Sequence, residues 1–367
     1  MPFENGSASL RVMRLTRPLP KDAVERFAQN ALAPVEYIKE DPLFGWVTGR
    51  HLMDRDIDEH TARWGGILRV ALVKAEKKVP SSLLKAEVRA QELQRLKESG
   101  QSFLSRKDRQ EIRDATRAIL LPKMPPQLKG TAVLQVPGSE WVLTEAVADK
   151  AADELCIHFR HAQQITLEAM TPATLAEQRH KIDVTGWSPT SFSPAVEDKD
   201  VSPEAGHDFL TWLWHVSETA PKSLEVEGHG PVGVLIEGPL TFVMEGSGAH
   251  EITLRKGNPP VSSEAKACLL AGKKLARCKF SLAKGEEVWS GTLTAESFVT
   301  RSLKPPAVEE DLDPVSLFQM RVRKFEEYRE MLAGLYDLFV RVRSDRQRWT
   351  KTAREMREWV ADRTALN

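Results

Sequence analysis

The sequence predicts an α+β fold: mixed, mainly antiparallel sheets, a projecting helical hairpin and long C-terminal helices. Three observations carry this. Short alternating segments recur along the chain, as in "SLRVMRLTRPL" (9–19) and "ILRVALVKAEKK" (67–78). Two charged helical segments follow each other over about 80–122 with only a short glycine-containing break, which reads as an antiparallel hairpin. From Pro314 almost to the end, apolar residues recur three and four apart.

In order, "SLRVMRLTRPL" is a strand stopped by Pro18 and Pro20, and "KDAVERFAQNAL" (21–32) is a helix. "PLFGWV" (42–47) is a short strand with Trp46 inward, and "TGRHLMDRDIDEH" (48–60) is a polar loop. In the strand at 66–78, Leu68, Val70 and Leu72 alternate on one side and Ala71, Val73 and Ala75 on the other, so both faces can be buried. A helix follows from about Ser82 to Ser99, capped by Ser81 or Ser82. Ser105 and Asp108 in "SRKD" form a capping box for a second helix that runs to Leu121 and stops at Pro122. In it, Ile112, Ala115, Ile119 and Leu120 form the packing face.

Strands at 131–137 and 140–144 flank the turn "PGSE". A helix at 146–163 and the strand "ITLEAM" (165–170) follow. Residues 185–206 are proline- and serine-rich and acidic, a flexible linker or long surface loop. "HDFLTWLWHVSE" (207–218) is an aromatic core helix, and short strands fill 223–254. "SSEAKACLLAG" is a capped helix stopped at Gly272, with a strand pair at 273–296 after it. The expected organisation is an N-terminal α+β region (1–184), the acidic segment (185–206), a second α+β region (207–313) and a helical segment (314–367).

Composition is that of a soluble globular protein, with 41% hydrophobic and 28% charged residues. No apolar run reaches the ~20 residues of a membrane span. The N-terminus lacks a secretory pattern. Cys156, Cys268 and Cys278 lack metal-ligand spacing and read as reduced core residues of a cytosolic protein. Net charge is zero but segregated. Residues 69–130 hold 15 basic against 7 acidic side chains, 186–254 hold 2 against 11, and 255–304 hold 10 against 4. Such sorting builds a local field on a neutral molecule.

No phosphate loop, dinucleotide fingerprint or hydrolase motif is present, and no cofactor is implied. "GSGAH" (246–250) lacks the strand–helix context of a phosphate turn. His158 and His161 lack an acidic partner for a metal site. Asp54, Asp56, Asp58 and Glu59 in "MDRDIDEH" form the one acidic cluster that could hold Mg²⁺ for a nuclease; a solvated loop is the favoured reading.

The basic constellations say more. Lys74, Lys77 and Lys78 close the strand at 66–78, with Lys85 and Arg89 on the next helix. Arg106, Arg109, Arg113 and Arg117 are spaced 3, 4 and 4, on one helix face, and Lys123 extends the charge. Lys273, Lys274, Arg277 and Lys279 gather on a later strand, Arg277 and Lys279 sharing a face opposite Ala276, Cys278 and Phe280. Together they point to a polyanion. Without interleaved aromatics to stack bases, phosphates of duplex DNA are the expected contact. The seam Phe318, Val322, Phe325, Tyr328, Leu332, Leu335, Phe339 and Val342 fits core docking or a dimer. Beyond it lies a basic amphipathic tail with Trp349, Met356 and Trp359.

Taken in order, "MRLTRPL", "GWV" (45–47), "LVKAEKKVPSSLLKAEV", "LLP" (120–122), "LEAMTP", "ITLRKGNPPVSSEAKACLLAGKKLARCKFSL" and "AESFVTRSLK" resemble the bacterial recombination-associated RdgC family. The resemblance implies a ring-shaped homodimer whose positively charged hole takes double-stranded DNA without sequence preference. It further implies restraint of RecA-mediated recombination and a cytoplasmic, nucleoid-associated place. Lys74, Lys77 and Lys78 and the arginine-striped hairpin would line or guard the hole. The chain departs from that pattern after "LLP", where Lys123 keeps the charge but Pro125 stands in place of an aromatic at the hairpin tip, where the subunits would meet. A DNA-binding protein rather than an enzyme is expected; a metal-dependent exonuclease and a protein-interaction scaffold are the alternatives.

Overall fold

A computed structural model describes residues 3–38, 41–201, 204–219, 223–244, 250–308 and 312–362. Apart from His250, the turn "GSGAH" lies outside the described residues. The chain begins with β1 (Ala8–Leu15), α1 (Ala23–Gln29), β2 (Leu43–Thr48), α2 (Glu59–Ala62), β3 (Arg63–Trp64) and β4 (Ile67–Lys77). The hairpin α3 (Ser81–Ser99) and α4 (Arg106–Leu120) follows. Then come β5 (Pro126–Gln135), β6 (Trp141–Thr144), α5 (Asp149–Gln163), β7 (Leu167–Ala169) and α6 (Pro172–His180). The second half holds α7 (Ala205–Thr219), β8 (Leu224–Val226), β9 (Gly230–Met244), β10 (His250–Leu254), α8 (Ser263–Leu270) and β11 (Lys274–Lys284). It ends with β12 (Glu287–Thr294), β13 (Thr300–Lys304), α9 (Pro314–Ser344) and α10 (Arg346–Ala361).

Among the described residues thirteen strands join in one sheet, ordered β10-β9-β11-β12-β13-β1-β6-β5-β4-β2, with β3, β7 and β8 paired beside that path. The α+β class is as the sequence indicates, but one sheet spans the chain where several were expected. The seam is β1 against β13, Ala8 opposite Leu303, so the first strand ties the two halves together. β4 lies between β2 and β5, and its two apolar faces enter different cores. Leu68, Val70 and Leu72 enter a core with Phe27, Trp46 and Phe159, while Ala71, Val73 and Ala75 enter a smaller one with Leu32 and Val47.

The largest core fills the space between the sheet and α7, α8, α9 and α10. The α9 seam from Phe318 to Phe339 is buried there, so the chain uses it internally. α10 docks through Trp349, Ala353, Met356 and Val360. Most of its basic residues are paired, Arg348 with Asp345, Lys351 with Glu355, Arg354 with Glu358 and Arg357 with Asp198.

The acidic segment is anchored rather than free-standing. Thr190, Ser191, Phe192 and Ser193 are buried. Trp349 Nε1 donates to Thr190 Oγ1 (3.0 Å), and Ser193 Oγ donates to the Leu270 carbonyl (2.6 Å). Two local expectations are corrected. α3 starts after Pro80 with no side-chain cap, since Ser81 already lies inside the helix. The helix α6 went unread, although Thr171 and Thr174 form its capping box around Pro172.

Candidate nucleic-acid interface

The α3–α4 hairpin leaves the sheet where β4 ends and β5 begins, Lys77 standing opposite Pro126. α3 buries none of its residues, so the pair projects. The α4 box forms as the sequence indicates. Ser105 Oγ accepts the Asp108 N–H (3.1 Å) and the Asp108 carboxylate accepts the Ser105 N–H (3.1 Å). The Ser105 hydroxyl also donates to that carboxylate and, with the backbone N–H, holds it below the usual range.

Beyond this start, Arg106, Arg109, Arg113 and Arg117 are all exposed, and none has an ion-pair partner among the described residues. The acids beside them are otherwise engaged: Asp114 accepts the Gln110 amide, and Glu111 lies 3.9 Å from Lys107. Lys85, Arg89 and Lys123 are exposed too, with Arg89 paired to Glu92 (3.1 Å). Arg95 and Lys97 are further exposed cations that the helix-face reading passed over. The packing expected of α4 is corrected: Ile119 is 61% exposed and Ala115 exposed, because only α3 lies against this helix's inner side. The hairpin tip is the turn between the helices, where Phe103 is 75% exposed; Pro125, expected at the tip, lies at the root, next to Pro126 of β5 and its partner Lys77.

The lysines at the end of β4 divide by role. Lys74 is part-buried, 2.8 Å from Glu154 and 5.3 Å from the Phe44 ring centre. The hydrogen bond to Glu154 raises its pKa despite the opposing effect of burial. Lys77 donates to the Pro122 carbonyl (2.9 Å), which pins the hairpin root, and it has no carboxylate partner among the described residues. Lys78 is exposed, 2.5 Å from Glu76.

The later cluster separates more sharply. Lys273 and Lys274 are buried, 4% and 5% exposed, and cannot meet an external polyanion. Lys274 instead pairs with the buried Asp208. Where the sequence groups four cations over 273–279, a register shift between Leu275 and Arg277 re-aims the strand. From there the alternation holds: Cys278 and Phe280 are buried, while Arg277 and Lys279 lie half exposed on the opposite face.

That face extends over three strands. Arg277 stands opposite Thr294, and Lys279 opposite Thr292, itself opposite Arg301. Ser281 stands opposite Ser290, itself opposite Lys304. Cations and hydroxyls thus alternate across β11, β12 and β13, with Glu237 on β9 drawing Lys279 (3.4 Å) and accepting from Ser281 (2.9 Å). Arg277 Nε and Thr294 Oγ1, on facing residues, are buried without hydrogen-bond partners among the described residues. Arg301 and Lys304 were missed: they are three apart, and only the irregular pairing of β13 at Ser302, whose φ is 51°, brings both to this face.

Three of the four acids in the loop are committed to its own structure, and Asp56 is exposed. Burial pushes Asp54 up, but hydrogen bonds from Arg50 (2.6 Å) and Thr48 outweigh it and lower its pKa. Asp58 caps α2, accepting from the Thr61 (2.7 Å) and His60 (2.8 Å) N–H groups. Glu59 pairs with Arg63 (2.6 Å). Among the described residues no three metal-ligating side chains converge. No described helix is long and apolar enough to cross a membrane.

Two comparisons bear on this geometry. No curated protein matches the chain. The family model described as "Putative exonuclease, RdgC" matches residues 8–195, just over half of the sequence, and covers β1 through the hairpin to the anchored acidic segment. On that match, with the strand–lysine–hairpin arrangement it spans, the chain belongs to the RdgC family.

Proposed function

We propose that this chain binds double-stranded DNA without reading sequence, encircles or clamps the duplex as a homodimer, and so restrains RecA-type recombination at the nucleoid. The observation that carries the reading is the unneutralised arginine row of α4. Eleven residues at 1.5 Å each place Arg106 and Arg117 about 16 Å apart. A duplex presents one charge per ~1.7 Å, so several phosphates come within reach. Arg277, Arg301 and Lys304, interleaved with hydroxyls, supply a second surface of the kind that contacts phosphate and sugar. Exposed Phe103, Leu93 and Ile119 on the hairpin support a contact between subunits there.

The test is binding to two unrelated duplexes of equal length at one salt concentration. Affinities within about twofold support the reading; a preference above about tenfold contradicts it. Sedimentation with and without duplex reads the dimer.

The family description favours a second reading, an exonuclease. It requires Mg²⁺-dependent loss of labelled DNA ends that disappears in Asp54→Asn or Asp56→Asn variants. The ties of Asp54 to Arg50 and Thr48 support the non-enzymatic reading.

A further inference from the structure

At the opposite end of the N-terminal strands from the hairpin lies a cleft of about 410 Å³. β4 runs from Leu68, paired with Gln135, to Lys77, paired with Pro126, which sets the two ends roughly 30 Å apart. One wall is the segment that leaves β1, Thr16 to Lys21; the other is the β5–β6 turn, Pro137 to Glu140. The Leu15 N–H donates to the Glu140 carbonyl (2.8 Å) and joins the walls at the base. Gln135 Nε2 donates to the Ser139 carbonyl (2.7 Å) and fixes the turn. Pro18, Pro20 and Pro137 lock their own φ angles, so the cleft is held open before any ligand arrives.

Its charge is one-sided. Arg14, Arg17, Lys21 and Arg63 line it, against Glu140 alone. Two of these cations are already paired, Arg14 with Glu140 (2.9 Å) and Glu168 (3.5 Å), and Arg63 with Glu59 (2.6 Å). The other two hold no carboxylate among the described residues. Arg17 is exposed and donates only to the Gln164 carbonyl, and Lys21 is exposed. Ser139 Oγ accepts the Trp141 N–H (3.1 Å) and keeps its own proton to donate.

We infer that this cleft binds the terminal phosphate monoester of a nucleotide. A monoester carries close to two negative charges at neutral pH, which matches Arg17 and Lys21. The proline and Leu19 walls offer apolar surface to the sugar and base, and the volume falls in the range of small-ligand sites. A free nucleotide and a 5′-phosphorylated strand end present the same group.

The proposal is independent of duplex binding through α4, and its test keeps the two apart. The full chain is titrated calorimetrically with 2′-deoxyadenosine 5′-monophosphate, with deoxyadenosine, and with duplexes carrying a 5′-phosphate or a 5′-hydroxyl. The Arg17→Ala/Lys21→Ala and Arg113→Ala/Arg117→Ala variants are compared with wild type. All four positions are exposed, and an unchanged melting curve confirms folding.

The expected result is monophosphate binding that falls about tenfold or more in the Arg17→Ala/Lys21→Ala variant and persists in the α4 variant. If only the phosphorylated duplex end gains affinity, and loses it in the Arg17→Ala/Lys21→Ala variant, the source is a strand terminus and the cleft is still a phosphate site. Equal binding of deoxyadenosine and its monophosphate would overturn the proposal. So would a phosphate preference that survives Arg17→Ala/Lys21→Ala, or the lack of any phosphate preference in wild type.

Discussion

Lys274 Nζ lies 2.5 Å from Asp208 Oδ1, with both side chains buried, and the pair ties β11 to α7. Arg343 stands 3.8 Å from the other oxygen of the same carboxylate. Removing one partner of a buried pair strands the other charge, typically at about 3–5 kcal/mol. Lys274→Ala is therefore expected to lower unfolding stability by that order and leave the salt dependence of DNA binding unchanged. Chemical denaturation beside a binding titration checks both. An unaltered stability with weakened binding would return Lys274 to the surface.

On α4 the expectation is reversed. Arg113→Ala/Arg117→Ala leaves stability nearly untouched, because both side chains are exposed and unpaired. Each lost phosphate contact reduces the slope of log K against log salt by about 0.9, so the double variant flattens it by about 2. The loss is the same on every duplex sequence.

The bare face of β11–β13 gives a paired comparison. Arg277→Gln/Arg301→Gln is expected to weaken binding and flatten the salt slope. Arg348→Gln/Lys351→Gln on α10 is expected to do neither, since those cations are paired along their own helix. Anisotropy titrations at three salt concentrations separate the two variants.

This contrast shows what could be read from the sequence and what could not. Spacing alone placed Arg106 to Arg117 on one face, because helix geometry fixes that relation without reference to the rest of the chain. The Arg277/Lys279 face was legible for the same reason, through the period of two. Lys274 was misplaced because a buried carboxylate 66 residues away decides its direction and leaves no local mark; Lys273 is buried just before the strand, and its Nζ has no hydrogen-bond partner among the described residues. Arg301 and Lys304 join the surface only through the pairing of β12 with β13. Likewise the single sheet depends on β1 meeting β13, a contact nearly 300 residues apart along the chain.

The docking of α10 is expected to depend on pH. Trp359 sits on α7 and α8 with Lys266 Nζ 3.4 Å from its ring centre and His215 at its edge, 5.3 Å between centroids. Glu218 accepts both indole N–H groups, from Trp214 (2.6 Å) and Trp359 (2.8 Å). Burial lowers His215 to about 4, against the pull of Glu355 and with the push of Lys266. Burial also lowers Lys266 to about 8, against Glu218 and Asp362.

In both cases the unfolded chain holds its proton to higher pH than the folded one. Stability therefore falls as pH drops from about 6.5 to about 4, and rises from about 8 to about 10.5. Each step is worth on the order of 1–3 kcal/mol. Urea midpoints across pH check this: His215→Phe should flatten the acidic limb and Lys266→Met the alkaline one.

The most direct measurement of the central claim is the salt dependence of binding to a random-sequence duplex, wild type against a variant with Arg106, Arg109, Arg113 and Arg117 all changed to Gln. A steep wild-type slope that falls by about 3 to 4 in the variant, with the fold intact, is the result expected of a phosphate-contacting hairpin. Equal slopes for the two proteins would contradict it and remove α4 from the interface.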